Sequence, residues 1–441
     1  MMKRIIGGLL LLLLCGCAAN LPRDRSDISQ TLRERTGHDL NPAVKSDSFR
    51  MPDSVALKDG LTEDEAVAIA LWNNAQFQAD LTELGFARAD LIEAGLLRNP
   101  MLSLLFPVGP KQLESTLSLP IDLLWQRPKR IGAAKLDAER VAENLVQHGL
   151  DLAREVMIAH ADLMLADERN NLAEENARVQ QEIANIAAAR LRAGDISELE
   201  ESASRLEALR VQEISLRRTQ EADNARAGFT TLLGFGVSDT TFVLTLATET
   251  ELPSRPFAEL TTAAFASRPD LRAAELAIEA AGKRLGWERA KIFNFTGVLD
   301  ANGAGKEGFE MGSGAQIELP LFNWNNGKTA RAHAQIEQAA RQYLAAKHRI
   351  ALEVKAAHTD HLAAQQALGL CRNQWVPTAT EAANRAQKVY AAGEVSYLFV
   401  LEINRQLLDA RLREAEASAD LQRALARLKH SVGFYQARRE N

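Results

Sequence analysis

The chain has 441 residues and a formal net charge of −6 at pH 7, so no general basic field invites nucleic acid. Hydrophobic residues make up 46% but aromatics only 5%, and Ala, Leu, Glu, Arg and Gln dominate. That is the composition of long helices and argues against a β-sandwich or an α/β enzyme.

The first element is a processing signal. Lys3 and Arg4 form a basic start, Leu9 to Leu14 an apolar run too short to span a bilayer, and Leu14-Cys15-Gly16-Cys17 a small-residue cleavage site. The run resembles a bacterial lipoprotein signal, in which residues 1–16 leave and Cys17 is lipidated. Ala18 in place of Asp resembles lipoproteins sorted to the outer membrane. An ordinary secretory signal cut nearby is the alternative. With Cys15 removed and Cys17 acylated, Cys371 stands alone, so no intrachain disulfide is possible and an inert small hydrophobe is expected there. Residues 17–60, polar and carrying Pro22, Pro42 and Pro52, read as a lipidated extended tail.

Proline maps the rest of the chain. None occurs between Pro128 and Pro253, and after Pro320 the only one is Pro377; an interior proline costs about 3 kcal/mol, so such spans suit long helices. From Pro128, read as a first-turn residue, to Gly194 is roughly 100 Å of helix at 1.5 Å per residue. Leu61–Arg98 and Ser197–Leu233 read as shorter helices, each roughly 55 Å long, that stacked end to end would match it and run antiparallel. Thr62 with Glu63, Asp64 and Glu65 supplies an N-cap and an acidic first turn.

Two stretches have another period. Leu117, Leu119, Ile121 and Leu123 alternate with Thr116, Ser118, Pro120 and Asp122; Phe309, Met311, Ala315, Ile317, Leu319 and Leu321 alternate with Glu310, Gly312, Gly314, Gln316 and Glu318. Period two with one apolar face is the strand pattern. Each has a partner run before it, giving hairpins at about 100–124 and 295–322. Such strands suit a membrane barrel, although a soluble edge hairpin would alternate too.

The chain is a duplication. Gly194 and Gly393 lie 199 residues apart, as do Gly234-Phe235 and Gly433-Phe434; Leu199/Leu398, Leu209/Leu408 and Leu233/Val432 agree at the same offset. "NNAQFQAD" (73–80) parallels "SRPDLRAAE" (267–275), and Leu119-Pro120 matches Leu319-Pro320. The repeats are 61–258, with a glycine turn at 193–197, and 259–441, with a glycine turn at 392–396 and a C-terminal tail. Each reads helix, hairpin, very long helix, glycine break, shorter helix. Four strands per chain cannot close a barrel and open edges are not tolerated in hydrocarbon, whereas three chains supply twelve strands. The helical hairpins also need neighbours to bury their Ala/Leu stripes, with Ala184, Ala187, Ala188 and Ala189, and Ala345, Ala346 and Ala351, favouring close approach.

From about Leu61 to Phe434, the order of elements, the duplication and the phrases "AGDIS" and "AGEVS" resemble the outer-membrane efflux protein family, the trimeric TolC-like channel-tunnels. The resemblance implies a mainly α fold with a small β membrane part: a periplasmic α-helical barrel ending in the two tip turns, a shared twelve-stranded β-barrel, and an equatorial segment that includes residues near 234–258. It implies that the two tip turns meet a periplasmic adaptor, through Leu191, Arg192, Gly194 and Ser197 in one and Ala391, Ala392, Gly393 and Ser396 in the other. Those glycines suit a turn needing positive φ, and the serines suit N-caps. It further places Phe399 and Glu402 at the aperture, Glu402 in an acidic ring and Phe399 as a hydrophobic constriction; side chains packed between helices or solvated are the plainer reading.

His358 and His361 share a helix face, but with no third ligand a solvated face is the expectation. No phosphate loop, nucleophile elbow or catalytic dyad is present, so neither an enzyme nor a cofactor is expected beyond the lipid on Cys17. The leading reading is a passive homotrimeric exit duct of a tripartite efflux pump, anchored in outer-membrane lipid and opened by an adaptor and an inner-membrane transporter. The resemblance leans towards a resistance-nodulation-division transporter exporting drugs or heavy-metal cations. A duct for type I polypeptide secretion is the alternative. A periplasmic coiled-coil adaptor lipoprotein, a different class, would have one helical hairpin where this chain has two.

Overall fold

The computed structural model describes residues 21–42, 49–53, 55, 60–106, 113–235, 242–245, 255–305, 308–391, 395 and 397–433. The signal 1–16, Cys17, the tip residues Ala392, Gly393 and Ser396, most of the equatorial segment and the tail from residue 434 lie outside them. In chain order come α1 (Arg25–Thr36), α2 (Glu63–Asn73), α3 (Ala75–Asp80), α4 (Glu83–Gly95), β1 (Met101–Leu105), β2 (Glu114–Pro120), α5 (Leu123–Ala193) and α6 (Glu198–Leu233). The second half adds α7 (Phe257–Ser267), α8 (Pro269–Ala290), β3 (Phe295–Gly305), β4 (Gly308–Ile317), α9 (Asn326–Leu370), a π-helical turn (Cys371–Trp375), α10 (Val376–Ala391) and α11 (Tyr397–Val432). Packing groups them into two units, one of Met1–Ile28, Asp80–Gln147 and Pro269–His348, the other of Ser29–Ala79, His148–Arg268 and Arg349–Asn441.

The first unit is built on one antiparallel sheet in the order β1-β2-β3-β4. Register sets its two faces. Leu102 pairs with Leu117, Leu117 with Leu299, Ala301 with Met311 and Phe295 with Ile317, all on one face. The other carries Thr116 opposite Asp300, Glu114 opposite Asn302 and Thr296 opposite Gln316. Thr116 Oγ1 donates to Asp300 Oδ1 at 3.0 Å on that polar face. The apolar face is bare: Leu102 is 60% exposed and Met311 71%.

Helices begin where the strands stop. Ile121 and Asp122 give their N–H groups to Phe295 O, and α5 starts at once. Pro128 therefore sits inside α5, not in its first turn as the sequence suggested. Two arginines of α5 satisfy the last carbonyls of α4: Arg127 Nε donates to Gly95 O (2.7 Å), while Arg130 donates to Ala94 O (2.7 Å) and Leu96 O (2.5 Å).

Two expectations are corrected. Leu61–Arg98 is not one helix but three. Thr62 and Glu65 form a capping box at the start of α2, whose Ala66–Leu71 are all buried. Asn74 then leaves the helix with extended backbone (ψ 118°) and recaps the next one, its Oδ1 accepting from Phe77 N–H at 2.9 Å. The tail is not extended throughout either. Asp24 Oδ1 caps α1 through Ser26 N–H (2.7 Å), and Ile28 and Leu32 on one face are completely buried. A side chain at Gly149 would collide with Leu32, so the glycine admits this helix.

A second helix break mirrors the first. Arg268 is extended (ψ 121°) between α7 and α8, and Pro269 opens α8. Each break docks on the glycine that ends a returning helix. Asn74 Nδ2 donates to Leu232 O (2.9 Å) beside Gly234. Ser267 Oγ donates to Val432 O (2.6 Å) beside Gly433. Both glycines have positive φ, 83° and 76°.

The long helices differ. α5 runs unbroken over 71 residues, whereas its counterpart is interrupted at Cys371–Trp375. Pro377 has no N–H and its ring crowds the carbonyl four residues back, so the turn before it widens and Val376 N–H bonds Cys371 O. Cys371, buried and free, packs there with Leu368 and Ala417.

Candidate functional site

The first tip turn is fixed by backbone bonds. At the end of α5, Gly194 (φ 81°) donates its N–H to Leu191 O and Asp195 donates to Arg190 O, both at 3.0 Å, which is the Schellman arrangement. Two residues on, Ser197 is extended (φ −80°, ψ 157°) and caps α6 reciprocally. Its Oγ accepts from Glu200 N–H at 3.3 Å, and Glu200 Oε2 accepts from Ser197 N–H at 3.0 Å. The turn thus needs its glycine and its serine for reasons internal to the chain.

Its surface is polar and divided by sign. Arg190 and Arg192 lie in the last turn of α5, and Glu198, Glu200 and Glu201 in the first turn of α6, each sign at the helix end it stabilises. Arg192 and Gly194 are exposed, Leu191 is half-buried, and Leu199 is 79% exposed at the start of α6.

Of the second tip, the described residues include Ala391, the end of α10, and α11 from Tyr397. Phe399 is 49% exposed and Leu398 70%, while Val400 between them and Glu402 turns inward to 7%. Glu402 is exposed and its carboxylate accepts from Gln406 Nε2 at 3.2 Å. Phe399 and Glu402 therefore both present to solvent in one chain, an aromatic and an acid one turn apart.

A link that sequence reading missed joins the two returning helices. Arg405 Nη2 lies 2.7 Å from Glu207 Oε1, and Arg210 Nε lies 3.7 Å from the other oxygen. Farther along, Arg169 pairs with Glu416 at 2.7 Å and Arg423 with Asp162 at 2.5 Å, holding α11 to α5. Helices this rich in charge give the sequence no means of choosing partners; geometry alone selects them.

Two histidines are withdrawn from solvent, His160 fully and His361 in part. His160 Nε2 lies 3.1 Å from Leu61 O, and burial pulls its pKa below the usual imidazole value. Burial, and secondly the neighbouring His358, lower that of His361. Among the described residues no group of three or more His, Cys, Asp or Glu is placed to hold a metal ion. No described helix is long and apolar enough to cross a membrane.

Comparison with known proteins agrees with this architecture. Residues 260–434, most of the second repeat, match the family described as outer membrane efflux protein. The cobalt-zinc-cadmium resistance protein CzcC of Cupriavidus metallidurans is 26% identical over 358 residues, covering 80% of this chain and 85% of CzcC. Among solved structures, the outer-membrane channel OprN superposes with a TM-score of 0.71 at 21% identity, covering 88% of this chain and 98% of that one. The Campylobacter jejuni outer membrane channel CmeC gives 0.73 at 16% identity, covering 89% and 90%. Residues 260–434 thus match the outer membrane efflux protein family, and along nearly nine-tenths of its length the chain shares the fold of solved outer-membrane channels.

Proposed function

We propose that this chain forms one third of an outer-membrane exit duct serving a tripartite efflux pump. The sheet carries the reading. Its apolar face is exposed, its polar face runs opposite it in register, and the outer edges of β1 and β4 are unpaired among the described residues. A bilayer tolerates such a sheet only if its edges close on further strands, and three copies provide a twelve-stranded barrel with lipid outside and water within. The helices carry a matching need: Leu199, Leu206, Leu209 and Leu216 lie exposed on α6 and suit burial against a neighbouring copy.

In this reading Cys17 is lipidated after removal of residues 1–16, which ties the chain to the same membrane. The duct consumes no energy and holds no cofactor; an inner-membrane transporter drives export through an adaptor that meets the tips. The adaptor contacts are Leu191, Arg192, Gly194 and Ser197 on one turn and Ala391, Ala392, Gly393 and Ser396 on the other. Phe399 and Glu402 line the aperture. The likeness to CzcC favours heavy-metal cations as cargo over drugs.

Membrane fractionation with crosslinking tests the duct. The chain is expected in the outer membrane as a heat-modifiable trimer, and a monomer in the soluble fraction would end the reading. Deleting its gene should sensitise cells to cobalt, zinc or cadmium more than to drugs. Phe399→Ala with Glu402→Ala should raise ion conductance in planar bilayers; unchanged conductance would remove these residues from the aperture.

A further inference from the structure

Where strands give way to helices, aromatic and basic residues gather. Trp125, in the first turn of α5, donates Nε1–H to Ala290 O at 3.4 Å and meets Phe295 edge-on at 5.5 Å. Lys291 Nζ lies 3.6 Å over the ring of Trp287, Trp324 is half exposed before α9, and Phe322 is fully exposed. Tryptophans at the ends of an amphipathic sheet mark the boundary between hydrocarbon and water.

Just beyond that boundary is a cleft of about 480 Å³. Leu97, Leu124, Pro128 and Ile131 form its apolar wall, and Arg127 and Lys135 are its cations. These groups are ordered along α5: Leu124 is nearest the sheet and Lys135 is roughly 17 Å farther along the axis. Arg98, Arg127 and Lys135 have no acidic partner among the described residues, although Arg127 spends its Nε on Gly95 O. Positive charge therefore accumulates here, offset only in part by Glu93 near Arg130. Burial, together with Arg98 and Arg127, depresses the Arg130 pKa accordingly.

We propose that this cleft binds an anionic phospholipid of the adjoining leaflet, its phosphate on Arg127 and Lys135 and an acyl chain along Leu124 and Leu97. Apolar surface towards the sheet and cations away from it match the polarity of a lipid standing in that leaflet. Arginine adds a two-pronged donor for phosphate, and lysine adds a point charge. The volume takes the glycerol-phosphate and the first methylenes of a chain, the remainder lying against the exposed sheet. This inference rests on the membrane-duct reading.

The test uses the full chain purified in mild detergent, with added phosphatidylglycerol or phosphatidylcholine and native mass spectrometry as readout. Phosphatidylglycerol should be retained at about one per chain and at least tenfold more than phosphatidylcholine, and excess inorganic phosphate should not displace it. Lys135→Glu should lower retention at least tenfold without touching the Gly95 bond. Gly132→Leu, which fills the cleft and leaves its charge intact, should do the same; Lys129→Gln, whose ammonium turns to Gly286 O, should not. Equal retention of both lipids, displacement by free phosphate, or an unaltered Lys135→Glu variant would overturn the site. So would a disulfide between copies carrying Leu97→Cys and Ile131→Cys, since a second copy would then occupy the cleft. A membrane trimer without the lipid refutes this site alone, whereas absence from the membrane refutes the duct as well.

Discussion

The two repeats tie the same knot with different residues. In the first, the break at Asn74 rests on Gly234 through one amide bond to Leu232 O; in the second, the break at Arg268 rests on Gly433 through Ser267 and a buried guanidinium. Arg268 is 4% exposed and also reaches Glu353 at 2.9 Å, and Arg35 from the tail helix binds Ser267 O and Gly433 O. Their long helices diverge more, one continuous and one re-registered at Pro377. Duplication has thus been held tightly where backbone passes backbone. It has been relaxed where a helix needs only a stripe of small apolar side chains, because many sequences supply a stripe and only glycine supplies a left-handed close approach.

Substituting the two glycines separates the knots most sharply. A Cβ at Gly234 would overlap the Asn73 carbonyl, which is backbone and cannot turn aside; at Gly433 it would lie 2.9 Å from Ser267 Oγ, which can rotate. Gly234→Ala should cost about 3–5 kcal/mol from left-handed strain plus overpacking, and Gly433→Ala about 1–3. Denaturant titration of the helical signal measures both, and equal losses would mean that the two knots are equally tight.

The polar halves should rank the other way. Arg268→Ala leaves Ser431 O without its donor and Glu353 with only Arg349, 3.6 Å away, and should cost roughly 2–4 kcal/mol, discounted because Glu353 is partly exposed. Asn74→Ala removes a cap and one bond, about 1–2 kcal/mol. Comparing the midpoints of the two variants decides it.

The first repeat also carries a pH dependence. Burial holds the folded His160 pKa below its ordinary value of 6.5, so its neutral form contributes stability above that pH. That contribution is lost as pH falls through the lowered folded pKa, because the unfolded chain then binds the extra proton. Melting temperature should fall as pH drops below about 6.5, and His160→Gln should flatten the slope; an unchanged slope would place the sensitivity elsewhere.

The smallest effect is expected at the tip. Ser197→Ala removes half of a capping box on an exposed turn and should cost about 1 kcal/mol, seen as faster amide exchange over residues 198–201 with little change in global stability.

Much of the fold was legible because local rules suffice for it. Period-two alternation marked both hairpins, Gly194 and Ser197 marked a turn that their own backbone bonds explain, and the 199-residue offset marked the duplication. Pro269 is a local signal for the break at Arg268, because it bars the residue before it from the helix. The break at Asn74 was not legible as a break, since Ala, Leu and Gln on either side favour continuing the helix. What halts it is a glycine more than 150 residues away that accepts the bend. The tail helix escaped for the same reason: α1 is short and polar, and it is held by Ile28 and Leu32, the latter fitting only because Gly149 lacks a side chain.

Sequence by itself determined the kind of elements, their order, their repetition and the glycines and serines that turn the chain, because each depends on residues within a few positions of one another. Only the tertiary structure decided the strand register that sorts apolar from polar faces, the choice of Glu207 for Arg405 among many acids, and the cleft beside Arg127. Those depend on which distant backbones come within a few ångströms, and helical periodicity carries no record of distance between helices.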